Sequence, residues 1–206
     1  MDLNSISERY PSDKSKVYGH DYIPGYDDLF QNIRFKVNSV LEIGIGCLDH
    51  ETAMKRGCNY KSGNSLRMWR DYFINAHIYA IDIFEAGMIH NEERIKTFVA
   101  DQYNKHDLKR VMDTIGPNID IIIDDGSHIA EHQRFSFEFL EQYLQPGSIY
   151  VIEDIQPAYI ESFRNLSIFS EDFSKKITAE YDIKFFDTRN VTNMPDDILM
   201  CFIKKF

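Results

Sequence analysis

The stretch Ile119-Asp120-Ile121-Ile122-Ile123-Asp124-Asp125-Gly126-Ser127-His128 decides the fold. Its apolar run is short, β-branched and closed by two acids and a glycine. That predicts a strand over 119–124, buried on both faces, with a polar turn at its C-terminal end. The same pattern recurs on either side. Val40-Leu41-Glu42-Ile43-Gly44, His77–Asp82, Thr97–Asp101 and Ile149–Ile152 all read as strands. Helical spacing lies between them. Residues 65–73 carry apolar side chains at 66, 69, 72 and 73, residues 107–114 read as a helix, and residues 130–143 place Phe135, Phe139, Leu140 and Tyr143 on one stripe. Strands alternating with helices predict a parallel, doubly wound α/β sheet.

The ends differ from this core. Tyr181–Phe186 and Ile198–Phe202 are strand-like runs separated only by a loop, 189–197, so they are expected to pair antiparallel. Five alternating strands plus this hairpin predict a Rossmann-like fold of the class I methyltransferase type, a seven-stranded, mostly parallel sheet with a C-terminal antiparallel hairpin. Pro146-Gly147 reads as a turn. Residues 1–36 are polar and tyrosine-rich, and Pro11 and Pro24 interrupt any long helix. They are expected to form an N-terminal cap segment ahead of one domain over 37–206.

Composition narrows the possible functions. Lys+Arg number 23 and Asp+Glu 33 among 206 residues, a net charge of −10, and no basic run exceeds a pair such as Lys204-Lys205. Gripping a phosphate polyanion requires clustered cations, so nucleic acid and anionic membranes are not expected as main partners. Hydrophobic residues at 43% and aromatics at 14% are enough for a packed core and exclude disorder over most of the chain. Cys47, Cys58 and Cys201 are odd in number and form no CxxC, against a disulfide framework or a cysteine zinc site. The N-terminal residues lack an apolar signal-peptide core, and no apolar run nears the roughly 20 residues of a membrane span. The expected compartment is the cytoplasm.

The acids are placed informatively. Asp82, Asp101, Asp124-Asp125 and Glu153-Asp154 all stand at C-terminal ends of predicted parallel strands, and Glu42 precedes Gly44-Ile45-Gly46 at the end of the first. Ligands of open α/β sheets bind there. The Gly44-x-Gly46 turn permits close backbone approach, although many strand-to-helix turns need glycine for geometry alone. A third glycine for the dinucleotide fingerprint would fall at 49, where Asp49 stands, so a pyrophosphate is disfavoured. S-adenosylmethionine (SAM), which carries a sulfonium and no phosphate, suits this acidic turn better. Asp82 is placed for the ribose hydroxyls, or equally for a helix N-cap. Asp101 and Gln102 are placed for the adenine.

Side chains alternate along a strand, so Asp124 and Asp125 face opposite ways, as do Glu153 and Asp154. With the fourth and fifth strands adjacent, Asp125, Glu153 and Asp154 converge into an oxygen site for Mg²⁺ or Mn²⁺. The competing assignment is helix capping and pairing with Lys or Arg. His128 follows on the same turn, where a proton acceptor would be useful. His132 lies four residues on, a secondary candidate.

These motifs together resemble the metal-dependent class I SAM O-methyltransferases of the macrolide-sugar type, the mycinamicin and macrocin O-methyltransferases, and cephalosporin hydroxylase-like proteins. The resemblance runs over 13–159, from Asp13-Lys14 and Gly19-His20-Asp21-Tyr22 through Gly63–Phe73 to Asp124–His128 and Ile152-Glu153-Asp154-Ile155. It implies SAM contacts at Glu42, Gly44, Gly46, Ser65, Asp82, Asp101, Gln102 and Asp124. It implies a Mg²⁺ site at Asp125, Glu153 and Asp154, and His128 as general base. Members often assemble into oligomers. One departure is the insertion 47–62, which leaves the methionine-end contacts open. The implied reaction is methyl transfer to one of two vicinal hydroxyls of a sugar, such as a rhamnose on a glycan or natural product. Tyr22, Tyr26, His132 and Tyr159 are expected toward the acceptor, with ordinary packing the alternative for the tyrosines. Three competitors remain. They are a zinc hydrolase built on Asp125, His128, His132 and Glu153, a nicotinamide-linked enzyme, and a binding module without catalysis. A catechol-type diol would also suit the metal geometry.

Overall fold

The computed structural model describes residues 1–46 and 61–206. All seven expected strands form: β1 Ser39–Ile43, β2 His77–Asp82, β3 Ile95–Val99, β4 Ile119–Asp124, β5 Leu144–Ile152, β6 Tyr181–Asp187 and β7 Ile198–Lys204. They make one sheet in the order β3-β2-β1-β4-β5-β7-β6. The first five run parallel, and β7 pairs antiparallel with both β5 and β6. The order reverses between β1 and β4, which opens a crevice at their carboxyl ends.

Three local expectations change. β3 starts and ends two residues earlier than expected, so Asp101 stands in the loop beyond it. Pro146-Gly147 lies inside β5, and the turn expected there appears as a register shift against β4 between Ile119 and Ile121, with Gly147 at φ +89°. The β6–β7 connection, expected as plain loop, contains a short helix at Arg189–Thr192. The expected insertion 47–62 falls outside the described residues except at its last two positions.

Alternation along the strands sends successive side chains to opposite cores. Val40, Ile121, Ile123 and Val151 face a core shared with α1 (Leu3–Ser7), α2 (Ile23–Phe30) and α3 (Asn64–Tyr72). Leu41, Ile122, Tyr150 and Ile152 face the other, covered by α4 (Lys105–Ile115), α5 (Ala130–Leu140) and α7 (Glu171–Glu180), with α6 (Ile160–Arg164) at its margin. Aromatic rings fill both. Tyr26 meets Trp69 edge-on at 5.0 Å, and Phe137 stacks on Phe202 at 4.2 Å. Such pairs contribute about 0.5–1.5 kcal/mol beyond burial. The segment ahead of β1 is part of the first core: Leu3, Tyr22, Tyr26 and Phe30 are wholly buried against the sheet. Among the described residues no helix is long and apolar enough to cross a membrane.

Candidate active site

A cavity of about 450 Å³ opens at the carboxyl ends of β1, β2, β3 and β4. Gly44, Gly46, Ser65, Asp82, Asp101 and Gln102, all expected at the cofactor, line it. Their local jobs differ from simple ligand contact. Gly44 has φ +94°, and a Cβ there would stand 2.1 Å from the Asp125 carbonyl oxygen, so its bareness lets the β4 turn pass. Asp82 accepts from the Ile45 amide at 2.9 Å and from the Phe84 amide at 2.9 Å. It therefore binds the glycine turn to β2 while facing the cavity. Asp101 accepts from the Tyr103 amide at 2.8 Å.

Two expected cofactor residues do not reach the cavity. Asp124 is fully buried and accepts from Gln102 Nε2 at 3.1 Å and Tyr150 OH at 3.2 Å. Burial raises its pKa to about 6 against those hydrogen bonds. Gln102 Oε1 in turn accepts from the Ser127 amide at 2.7 Å. Asp124 thus acts through Gln102 to hold the turn that carries His128. Glu42 is also fully buried, and burial pushes its pKa up to about 7, with Lys14 opposing.

Asp125 and His128 line one end of the cavity, and Asp154 lies beside them, with one ligand atom from each of the three within 4.8 Å of the others. His128 Nε2 stands 3.7 Å from Asp154 Oδ2 and 4.0 Å from Asp125 Oδ1. His128 and Asp154 both adopt left-handed backbone, φ +54° and +53°. Non-glycine residues are held that way at a cost of order 1–3 kcal/mol and cluster at functional sites. Burial first, and then the neighbouring Asp125, raise the Asp154 pKa to about 6. Two carboxylates and an imidazole at this spacing fit a small divalent cation, with hard oxygens suited to Mg²⁺ or Mn²⁺. Among the described residues, His132 and Glu153 fall outside the group, so the four-ligand zinc set is not assembled. His132 Nδ1 instead lies 2.9 Å from Ser127 Oγ, and its ring stacks on Tyr103 at 4.3 Å, though it still lines the cavity.

Residues 14–26, running into α2, hold these acids, a role that sequence reasoning did not assign to them. Lys14, wholly buried, donates to Asp125 Oδ2 at 2.6 Å and to Glu153 Oε1 at 2.6 Å, and lies 3.3 Å from Glu42 Oε1. Burial works against its charge, but Asp125, Glu153 and Glu42 overcome this and hold its pKa well above the usual lysine value. Tyr22 OH donates to Asp154 Oδ1 at 2.5 Å, and Tyr26 OH donates to Glu153 Oε1. His20 stacks on Tyr22 at 4.8 Å, with Nε2 3.5 Å from Asp154 Oδ1. The expectation that Tyr22 and Tyr26 stack on a substrate ring is corrected here. Both are completely buried, offer no free face, and hold acids instead. Tyr159 is 42% exposed near the carboxyl end of β5. Asp13-Lys14 is among the motifs of the resemblance, but nothing in the sequence shows which acids Lys14 meets, so only the folded chain reveals its role.

No family model matches the chain. Among curated proteins it is 40% identical over 162 residues to the 8-demethyl-8-alpha-L-rhamnosyl tetracenomycin-C 2'-O-methyltransferase of Streptomyces olivaceus, covering 79% of this chain and 40% of that one. It is likewise 40% identical over 162 residues to the mycinamicin VI 2''-O-methyltransferase of Micromonospora griseorubida, covering 79% and 38%. Among solved structures it superposes on the MycE methyltransferase in complex with Mg, SAH and mycinamycin VI at a TM-score of 0.74 and 29% identity, over 100% of this chain and 54% of that one. The chain therefore spans about two-fifths of the length of the curated relatives it matches. The resemblance to macrolide-sugar O-methyltransferases expected from the motifs is borne out, as is the methyltransferase-type fold.

Proposed function

We propose that the protein is a SAM-dependent, divalent-metal-dependent O-methyltransferase acting on a sugar hydroxyl that has a hydroxyl neighbour, as on a rhamnose of a glycosylated natural product. The observation that carries this proposal is the convergence of Asp154 with Asp125 and His128, which line one end of a cavity whose other walls are Gly44–Gly46, Asp82 and Asp101-Gln102. Relatives named for sugar O-methylation favour a sugar over a catechol-type acceptor.

In this mechanism Asp82 accepts from the ribose hydroxyls, Gln102 and Asp101 border the adenine, and the Gly44–Gly46 turn carries the methionine end. Asp125 and Asp154 would hold the cation; Glu153 stands outside their group, its Oε1 taken by Lys14 and Tyr26, and would join them only by its other oxygen. A bound Mg²⁺ or Mn²⁺ would supply Lewis acidity that lowers a hydroxyl pKa. His128 Nε2 receives the proton of the attacking hydroxyl. The oxygen then attacks the methyl carbon of SAM in line, forming the O–CH3 bond as the S–CH3 bond breaks and neutral S-adenosylhomocysteine leaves. Charge is consumed in that step, so positioning dominates the acceleration. The test is methyl transfer from SAM to a rhamnosylated acceptor, with Mg²⁺ and then with EDTA. Activity should vanish in EDTA and fall at least 100-fold in His128→Ala. Full activity in EDTA would remove the cation from the proposal.

A further inference from the structure

The three acids expected at the cation, of which Asp125 and Asp154 converge with His128, share a further feature. Each has one oxygen secured by the stretch 14–26. Asp125 Oδ2 accepts from Lys14, Glu153 Oε1 accepts from Lys14 and Tyr26, and Asp154 Oδ1 accepts from Tyr22. The opposite oxygens of the two aspartates, Asp125 Oδ1 and Asp154 Oδ2, are those nearest His128 Nε2. From this one-sided arrangement we infer that Lys14, with Tyr22 and Tyr26 beside it, is a positioning residue. It forms an outer shell that fixes the rear oxygens of the acids so that their front oxygens meet a divalent cation.

The physical case rests on geometry and charge. Carboxylates on three separate strand-end positions repel one another, and rotation about their terminal bonds would scatter the oxygens. A single ammonium donating to two of them removes part of that repulsion and locks both planes. Lys14 also lies beside Glu42 at the end of β1, so one cation ties the strand that carries the glycine turn to the ends of β4 and β5. Outer-shell partners of this kind are worth 10–100-fold in metal affinity. The alternative is that Lys14 only occupies charge that the metal would otherwise use. The two roles predict opposite signs. A competitor's removal tightens metal binding, whereas a positioner's removal weakens it.

The inference rests on the cation role proposed above, and the experiment separates the two. Mn²⁺ is titrated into the full chain, with free Mn²⁺ followed by electron paramagnetic resonance, for the unmodified protein and for Lys14→Met. S-adenosylhomocysteine calorimetry in EDTA reports in parallel whether the fold persists. Lys14→Met should bind Mn²⁺ at least tenfold more weakly while still binding S-adenosylhomocysteine. If that variant does not fold, Tyr26→Phe, which removes only the hydroxyl on Glu153 Oε1, decides the matter with an expected loss of at least threefold. Unchanged or tighter Mn²⁺ binding in the deciding variant overturns the outer shell and leaves the cation role standing. Absence of Mn²⁺ binding by the unmodified chain overturns both.

Discussion

At the residue scale, the most consequential side chains are buried acids. Glu42 makes the clearest pH prediction. Burial lifts its pKa from 4.5 to about 7, with Lys14 pulling down and Asp125 pushing up. The native state therefore keeps a proton that the unfolded chain loses above pH 4.5. Stability from this group is present below that pH and declines as pH rises through about 7. At 1.36 kcal/mol per unit, the decline approaches about 3 kcal/mol. Glu42→Gln cannot titrate, so its melting temperature relative to the unmodified chain should climb between pH 5 and pH 8. A pH-independent difference would show that Glu42 is already ionised throughout. This property was only half legible beforehand. The sequence shows Glu42 at a strand end, but not that Lys14, 28 positions earlier, lies 3.3 Å from it. Asp82 and Gln102 were legible as cavity residues because the strand-end rule places them there whatever else they bond.

At the element scale, strand ends and the turns after them build the site. The β1 turn and the β4 turn cross where Gly44 meets the Asp125 carbonyl. Gly44→Ala sets a Cβ 2.1 Å from that oxygen at φ +94°, and neither backbone can yield without moving Asp125. The expected cost is on the order of 2–4 kcal/mol, from strain plus displacement. Thermal melting should show it as a loss of roughly 5–12 °C, with weaker S-adenosylhomocysteine binding. An unperturbed melt would mean that the two turns are not in contact. Strand elements were readable because short β-branched runs have few alternatives. Helix α7 was not singled out, although Ser170 caps it by accepting from the Phe173 amide and Glu171-Asp172 fill its first turn. Its inward residues are Ile177, wholly buried, and Phe173, packed at the margin of the same core, a pair four residues apart that is too short a stripe to stand out.

At the scale of the whole molecule, the stretch before β1 is structural and not an accessory. It fills one core with Leu3, Ile6, Tyr22, Tyr26 and Phe30, and it reaches across the sheet to the acids of β4 and β5. Removing residues 1–31 strips the cover from Trp69 and Phe73, both fully buried. Such a chain should lose cooperative unfolding and expose apolar surface to a hydrophobic dye. A truncated chain with a sharp thermal transition would show that the domain over 37–206 folds without this segment. The polar, proline-broken composition of this segment concealed its role, because its buried residues are spread over turns and short helices with no common period.

What the sequence determined by itself is the part governed by local rules. Alternation and β-branching set the strands, the short connection 189–197, read as a loop, set the antiparallel ending, and strand-end acids marked the crevice. Motif order added the resemblance to sugar O-methyltransferases. The tertiary structure alone decided which acids face the cavity, which serve the core, and what neutralises them. Asp124 turned inward to Gln102 and Tyr150, Glu42 and Glu153 turned toward Lys14, and two tyrosines became hydrogen-bond donors. The physical reason is range. Periodicity acts over a few residues, whereas a buried carboxylate is satisfied by whichever donor the fold delivers, here from more than 100 positions away in the chain for Asp125, Glu153 and Asp154.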